Sequence, residues 1–469
     1  MIKPMKRTEK SLLNRLTEYN ETAVPMHMPG HKRNTRLLKA SLPYEIDITE
    51  IDGFDNLHDM NGVLKETAAL AASLYGSKAA FPLVGGSTCG ILAAVHALAA
   101  FGSHVLIARN CHKSVFHAVE LMGLYPHYVC PEPDGFGICG KITPEAIKSA
   151  LCAERSIRLV IVTSPTYEGV ISDIANIAAV CHENGALLLV DSAHGAHLGF
   201  SPRFCASAVS SGADAVVMSL HKTMPALTQT ALLHICTDAV DKNKISEALS
   251  IFETSSPSYV LLSSIDACLR FISQDGEALF SALYENLSFF YKETNDLKAL
   301  SVLQYDDFSK LIVSTKNTTL TGTGLSDILR SQFHIEVEMA GINYILAISS
   351  ICDRKENLMK FAAALKEIDA EIPVLQTEVG AKKEIVLPQM QETPSAARQR
   401  CGEFVPLSCS EGRECLEYVW AYPPGIPLIV PGERIDRRFI ETAEDFSQAK
   451  IPLKSTKGLL DNKIWVRKK

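Results

Sequence analysis

The chain reads as an α/β protein: a large domain built on a mostly parallel, seven-stranded sheet, followed by a smaller α/β domain. Three observations predict this. Short apolar runs alternate with helical periodicity from residue 61 to about 300. The run Ala186 to Val190 is apolar throughout, as in a parallel strand covered on both faces. A second, shorter α/β pattern then resumes after one long helical stretch.

Residues 1–60 lack long periodic segments and suggest an arm that packs on another subunit, with one short helix at Ser11 to Tyr19. Residues 61–300 form the large domain. Its strands are expected at Ala79 to Leu83, His104 to Ala108, His127 to Cys130, Leu159 to Thr163, Ala186 to Val190, Asp214 to Met218 and Thr230 to Ile235. A crossover helix is expected around Ser207 to Ser211 and a long helix at Ser263 to Leu297. Residues 301–469 form the small domain, with strands at Lys310 to Ser314, Ile335 to Met339 and Tyr344 to Ser349 and a helix at Arg354 to Ile368. No internal repeat or low-complexity segment is visible.

Composition narrows the class. The 469 residues are 47% hydrophobic and 21% charged, as in an ordinary globular protein. A net charge of -7 with interspersed signs gives no footprint for nucleic acid. The 13 cysteines are odd in number and none are spaced Cys-x-x-Cys, so they suggest reduced, packed thiols rather than a disulfide framework. The start of the chain carries no apolar signal segment and no stretch reaches membrane-span length, so no membrane association and a cytoplasmic location are expected.

The chemistry centres on Lys222, which closes the apolar run Val216 to Leu220 in a Ser-x-His-Lys pattern with Ser219 and His221. A lysine after a strand is ordinarily a solvated residue opening a loop. Here Asp191 ends the preceding parallel strand, at the carboxyl edge where open α/β sheets bind ligands. A lysine can hold an aldehyde cofactor as a Schiff base, and a carboxylate beside a pyridine nitrogen keeps that nitrogen protonated. Pyridoxal phosphate meets both requirements.

Gly85-Gly86-Ser87-Thr88, ahead of the helical run Ile91 to Ala100, offers backbone N–H groups and hydroxyls to a phosphate. Without other company it would read as an ordinary helix cap. His112, following the second strand, is placed to stack on a planar ring.

Three other patterns carry less. Gly135-Phe136-Gly137-Ile138-Cys139-Gly140 matches a dinucleotide fingerprint but follows prolines rather than a strand, with a helix starting only near Thr143-Pro144. His27 and His31 have ligand spacing, but Pro29-Gly30 between them forbids a regular helix. Cys111 beside His112 reads as a packed thiol. No metal site is expected.

The motifs together resemble the Orn/Lys/Arg decarboxylases of the pyridoxal phosphate fold type I (aspartate aminotransferase-like) superfamily. The resemblance spans nearly the whole chain. It rests on His27-Met28-Pro29-Gly30-His31-Lys32, Gly62-Val63-Leu64-Lys65-Glu66, Gly86-Ser87-Thr88, Asn110-Cys111-His112-Lys113-Ser114 and Ser164-Pro165-Thr166-Tyr167. Asp191-Ser192-Ala193-His194-Gly195, Ser219-x-His221-Lys222, Thr254 to Tyr259 and Tyr422-Pro423-Pro424-Gly425-Ile426-Pro427 complete it.

The resemblance implies that Lys222 bonds the cofactor aldehyde, Asp191 pairs with the pyridine nitrogen and His112 stacks on the ring. It assigns the phosphate to Gly86, Ser87, Thr88, Ser219 and His221, puts Thr166 and His194 near the ring, and has Ser255 reaching the partner subunit's cofactor. A homodimer, or an oligomer built from dimers, with shared active sites follows. Larger relatives carry an N-terminal wing domain for which this chain has no room, so it resembles the short form and biosynthetic arginine decarboxylases.

Decarboxylation of a basic amino acid is therefore expected, with arginine first and lysine and ornithine close behind. Glu168, Asp52, Asp55 and Glu433 are candidates to hold the cationic tail, and structural ion pairs are an equal reading for each. Tyr422 to Pro427, too rich in proline for a strand, suits an active-site wall. An aminotransferase of the same fold and a catalytically idle protein are the rivals, because fold alone never proves activity.

Overall fold

The computed structural model describes residues 11–38, 40–375, 387–422 and 425–469. After α1 (Leu12–Thr22) the chain alternates: α2 (Val63–Tyr75), β1 (Ala79–Leu83), α3 (Gly86–Leu98), β2 (His104–Ala108), α4 (Lys113–Leu121), β3 (Tyr125–Val129), α5 (Pro144–Ala153), β4 (Leu159–Thr163), α6 (Ile174–Glu183) and β5 (Leu187–Asp191). It continues through β6 (Ala215–Ser219), α7 (Leu220–Thr223), β7 (Ala231–Ile235), α8 (Lys242–Phe252) and the long α9 (Tyr259–Glu293).

The seven strands form one sheet in the order β1-β7-β6-β5-β4-β2-β3. β2 runs parallel to β3 and β4, and β5 parallel to β6, while β7 is antiparallel to both β1 and β6. β6 and β7 are buried along their whole length, which is why they read as unbroken apolar runs. β3 is the exception. It lies at the sheet edge, carries Pro126 and is only partly covered.

By density of contacts the chain divides into two compact units, Met1–Leu98 with Leu189–Ser281 and Ala99–Leu188 with Ala282–Lys469. In the first, Asp266 of α9 ties three helices together. Its carboxylate is fully buried and accepts from the Leu12 N–H at 2.9 Å, the Thr67 hydroxyl at 2.9 Å and Arg270 Nε at 2.9 Å. Asp55 plays a similar part at the start of α2, accepting from the N–H groups of Gly62 and Leu64, both at 2.8 Å.

The second unit adds β8 (Ser301–Leu303), β9 (Lys310–Ser314), α10 (Gly322–Phe333), β10 (Met339–Ala340), β11 (Tyr344–Ile348) and α11 (Lys355–Glu371), with the sheet order β10-β11-β9-β8. Beyond residue 386 come α12 (Pro394–Ala397), β12 (Gly402–Pro406), β13 (Val419–Ala421), β14 (Pro427–Ile429), α13 (Arg437–Gln448), β15 (Leu453–Ser455), β16 (Gly458–Leu459) and β17 (Lys463–Arg467). β12 pairs with β17, and a small sheet has the order β14-β13-β15-β16. A cluster including Cys415, Val419, Ile429, Phe439, Ile440 and Val466 forms its apolar centre.

All seven expected strands of the main sheet are present, within two residues of their expected limits. Two expectations need correction. The crossover helix is a single 3-10 turn, Ala208–Ser211, because Gly212 at φ 88° ends it. The strand expected at Ile335 to Met339 shortens to β10, since ladder pairing with β11 involves only Met339 and Ala340. The Gly135 to Gly140 segment is a loop bridged between Pro133 and Cys139, with no helix following its glycines until α5.

Gly90 shows how closely α3 lies on the sheet. A Cβ there would stand 2.6 Å from Leu83 Cδ1 and 3.0 Å from Val217 Cγ1. Gly90→Ala is expected to destabilise the fold by about 1–3 kcal/mol through overpacking. A urea unfolding midpoint unchanged from that of the parent chain would contradict this close approach.

Candidate functional site

The strand ends of the first unit bring five of the expected residues together. β5 carries Asp191 in register with Val217 of β6, and the chain then turns at once, with the Ser192 N–H donating to the Val217 carbonyl at 2.8 Å. The turn delivers His194. β6 ends at Ser219, and the short helix α7 presents His221 and Lys222.

Lys222 Nζ lies 3.0 Å from His194 Nε2. Asp191 is 3% exposed, and its Oδ1 accepts from the Ala193 N–H at 3.1 Å. Burial pushes the Asp191 carboxyl above its ordinary pKa, while the Lys222 charge and the Ala193 N–H oppose that rise. A carboxylate in this state gains from any further positive charge brought to it.

His221 Nδ1 donates to the Thr230 carbonyl at 2.9 Å, which requires the proton on Nδ1 and leaves Nε2 as the acceptor of the neutral ring. Burial holds this imidazole below its usual pKa, opposed by the Thr230 carbonyl. Ser219 is fully buried and its Oγ has no hydrogen-bond partner among the described residues. An unsatisfied buried hydroxyl is costly, and a ligand atom would relieve it.

Gly86, Ser87 and Thr88 form the first turn of α3, where N–H groups lack intrahelical acceptors. Gly86 has φ 76°, a conformation that glycine tolerates without strain. The two amides just before it are already taken. Glu253 Oε1 accepts from Val84 N–H at 2.5 Å and Gly85 N–H at 3.2 Å. The sequence pattern gave no sign of this carboxylate, which stands far along the chain. Ser255, two residues further on, is exposed in the loop between α8 and α9.

His112 and Thr166 belong to the second unit, at the carboxyl ends of β2 and β4. His112 caps α4, its Nδ1 accepting from the Ser114 N–H at 3.2 Å, with the Ser114 hydroxyl 2.9 Å away. A Cβ at Gly425 would lie 3.1 Å from His112 Nε2, and Gly425 itself has φ 90°, so only glycine fits beside that ring. Thus the end of the Tyr422 to Pro427 loop borders His112, while Pro423 and Pro424 lie outside the described residues.

Arg109 secures that arrangement. Its guanidinium donates to the carbonyls of Pro427 and Leu428 and pairs with Glu433 at 3.2 Å, with both side chains buried. Nothing in the sequence marked Arg109, three residues before His112, since its partners lie more than 300 positions away.

Of the four acids considered for a cationic tail, three have structural partners. Glu433 pairs with Arg109, Asp55 caps α2, and Glu168 Oε1 accepts from the Tyr344 hydroxyl at 2.9 Å. Asp52 is exposed. The two early histidines also diverge: His31 Nε2 meets Asp47 Oδ2 at 3.0 Å, while His27 Nε2 meets the Tyr19 hydroxyl at 3.1 Å.

Family models and curated relatives identify one family, and solved structures show the same fold. The family model described as Orn/Lys/Arg decarboxylase, major domain, matches residues 11–322, and that of the C-terminal domain matches residues 373–452. Arginine decarboxylase of Bacillus subtilis is 32% identical over 433 residues, 88% of each chain. Lysine decarboxylase LdcA of Pseudomonas aeruginosa is 24% identical, covering 84% of this chain and 69% of its own. Among solved structures, the Francisella novicida lysine decarboxylase LdcF superposes with a TM-score of 0.82 at 18% identity, covering 98% of this chain and 81% of that one.

The buried Arg109–Glu433 pair offers a direct test of the scaffold. Arg109→Met would leave the Glu433 charge uncompensated and destabilise the protein by about 3–5 kcal/mol. Adding Glu433→Gln should recover part of that loss in the same denaturant titration, whereas an equal or larger loss in the double variant would show that the pair is not the source.

Proposed function

This chain belongs to the Orn/Lys/Arg decarboxylase family, and from that premise we propose that it converts arginine to agmatine with pyridoxal phosphate bound at Lys222. Decarboxylation of a basic amino acid is the family's reaction and this chain's. Arginine is the choice because several relatives near 30% identity, from three Bacillus species and a Halalkalibacterium, are arginine decarboxylases.

The observation that carries the reading is the half-buried contact of Lys222 with His194 beside the buried Asp191. The residues present suit the cofactor. The unsatisfied Ser219 hydroxyl and the open amides at the start of α3 would take its phosphate, with Ser87, Thr88 and His221 Nε2 adding polar atoms. Asp191 would face the ring nitrogen. By the family resemblance, His112 would stack on the ring and Thr166 would lie near it.

When bound, pyridoxal phosphate supplies a protonated ring that accepts the electron pair left as carbon dioxide departs. The protein's own groups do the rest. Asp191, stripped of water, would hold a positive charge opposite itself and so would keep the ring nitrogen protonated. Lys222 Nζ and His194 Nε2, 3.0 Å apart, would between them return a proton to the carbon that loses the carboxylate.

Assembly extends the reading. In the arm before α2, Val24 is 79% exposed, Met26 86% and Leu37 75%. A run of exposed apolar side chains on one segment fits a surface covered by a second copy of the chain. The exposed Ser255 fits a residue reaching the partner's cofactor. Met26→Glu with Leu37→Glu should yield monomers by light scattering and lose activity; dimers of unchanged stability would remove this support.

The deciding assay gives purified enzyme arginine, lysine and ornithine side by side and measures carbon dioxide and amine. Agmatine should dominate; more cadaverine or putrescine would overturn the substrate choice. Lys222→Ala should abolish amine formation and the visible absorbance of bound cofactor. Asp191→Asn should keep the cofactor yet lower turnover by roughly two to four powers of ten, the range for a group controlling a reacting proton. Normal turnover in either variant would refute its role.

A further inference from the structure

At the other end of β2 from His112, three side chains with metal-ligating atoms converge. His104 opens β2 and stands in register with Tyr125 of β3. Side chains two apart on a strand share a face, so His127 projects on the same face as Tyr125, diagonal to His104. His104 Nδ1 is 2.9 Å from His127 Nε2, and the two rings stack with centroids 5.2 Å apart.

Glu154, the residue that ends α5, brings its Oε2 to 3.9 Å from His104 Nδ1. Its other oxygen is committed: Oε1 accepts from the Ser156 N–H at 3.0 Å and the Ser156 hydroxyl at 2.6 Å. The carboxylate is thereby oriented with one oxygen toward the imidazoles, the supporting arrangement that metal-binding carboxylates use. The ligand atoms of all three residues lie within 4.8 Å of one another.

We propose that His104, His127 and Glu154 form a binding site for a divalent transition-metal ion of the zinc class. Two imidazole nitrogens and a carboxylate are the donor set such an ion takes, with a fourth position left for water. Metal–ligand bonds of about 2.0–2.1 Å in a tetrahedron place ligand atoms roughly 3.3 Å apart. The distances of 2.9 and 3.9 Å bracket that spacing, and the three side chains are only partly buried, so small torsional adjustments complete the shell.

The site lies at the amino-terminal end of β2, away from the strand ends that carry His112 and Thr166, so it takes no part in decarboxylation. It links the edge strand β3, its neighbour β2 and the end of α5. An ion there binds the folded chain and stabilises it by mass action.

The test uses tag-free holoenzyme treated with chelator and titrated with Zn2+, and with Co2+ for its absorbance. One saturable equivalent is expected, accompanied by a rise in thermal midpoint. His127→Gln should remove that equivalent, and Glu154→Gln should weaken it about tenfold or more. Both variants should keep the parent's decarboxylase rate. Because the thirteen cysteines also attract zinc, the difference between parent and variants is the quantity read. Equal stoichiometry and affinity in all three proteins, or no equivalent bound at micromolar metal, would overturn the proposal. If His127→Gln misfolds, Glu154→Gln decides alone, since its carboxylate is partly exposed and its loss leaves no core defect.

Discussion

A carboxylate carried out of water at the end of an apolar strand must find positive charge or take up a proton, and Asp191 imposes that requirement on everything around it. β5 is buried through its last four residues, so its terminal acid has no solvent to fall back on. One backbone N–H and the charge of Lys222 give partial relief. The parallel pairing of β5 with β6 then fixes where compensation can come from, because Asp191 stands in register with Val217 and the chain reaches Lys222 within one further turn. Such an acid is stabilised most by a cation delivered into the same dry space.

The same logic recurs through the scaffold with a different outcome. Asp55 and Glu253 are acids whose oxygens are spent on backbone N–H groups at the starts of segments, where the backbone has donors to spare, and Asp266 adds a hydroxyl and an arginine to one such N–H. Glu433 is spent on Arg109. These acids hold chain to chain, whereas Asp191 stands beside a lysine whose charge lowers the cost of its burial. Substrate selection accordingly cannot be read from the mere presence of an acid near a motif, since Glu168, Asp55 and Glu433 all have partners of their own.

Side-chain placement also depends on glycine. Gly425 is pressed so near His112 Nε2 that any side chain would displace the ring, and Gly90 lets α3 descend on Leu83 and Val217. Both act by what they omit. The close seat brings the free N–H groups of the Gly86-Ser87-Thr88 turn to the end of β1.

The amino-acid sequence by itself determined the seven strands of the main sheet, the strand-end positions of Asp191 and Ser219 with Lys222 just beyond, and the family. Those features are local: an apolar run and the residue that terminates it are adjacent in the chain, and buried strands announce themselves by composition. Only the tertiary structure decided that β7 runs antiparallel between β1 and β6, that Glu253 occupies the amides before the α3 glycines, and that Arg109 reaches Pro427, Leu428 and Glu433. It also shortened β10, whose alternating sequence promised more than its ladder delivers, and it gathered His104, His127 and Glu154 from two strands and a helix end. Each of these joins groups separated by tens to hundreds of residues. No periodicity records such a pairing, because it is set by the register of strands and the closing of loops rather than by the order of neighbours.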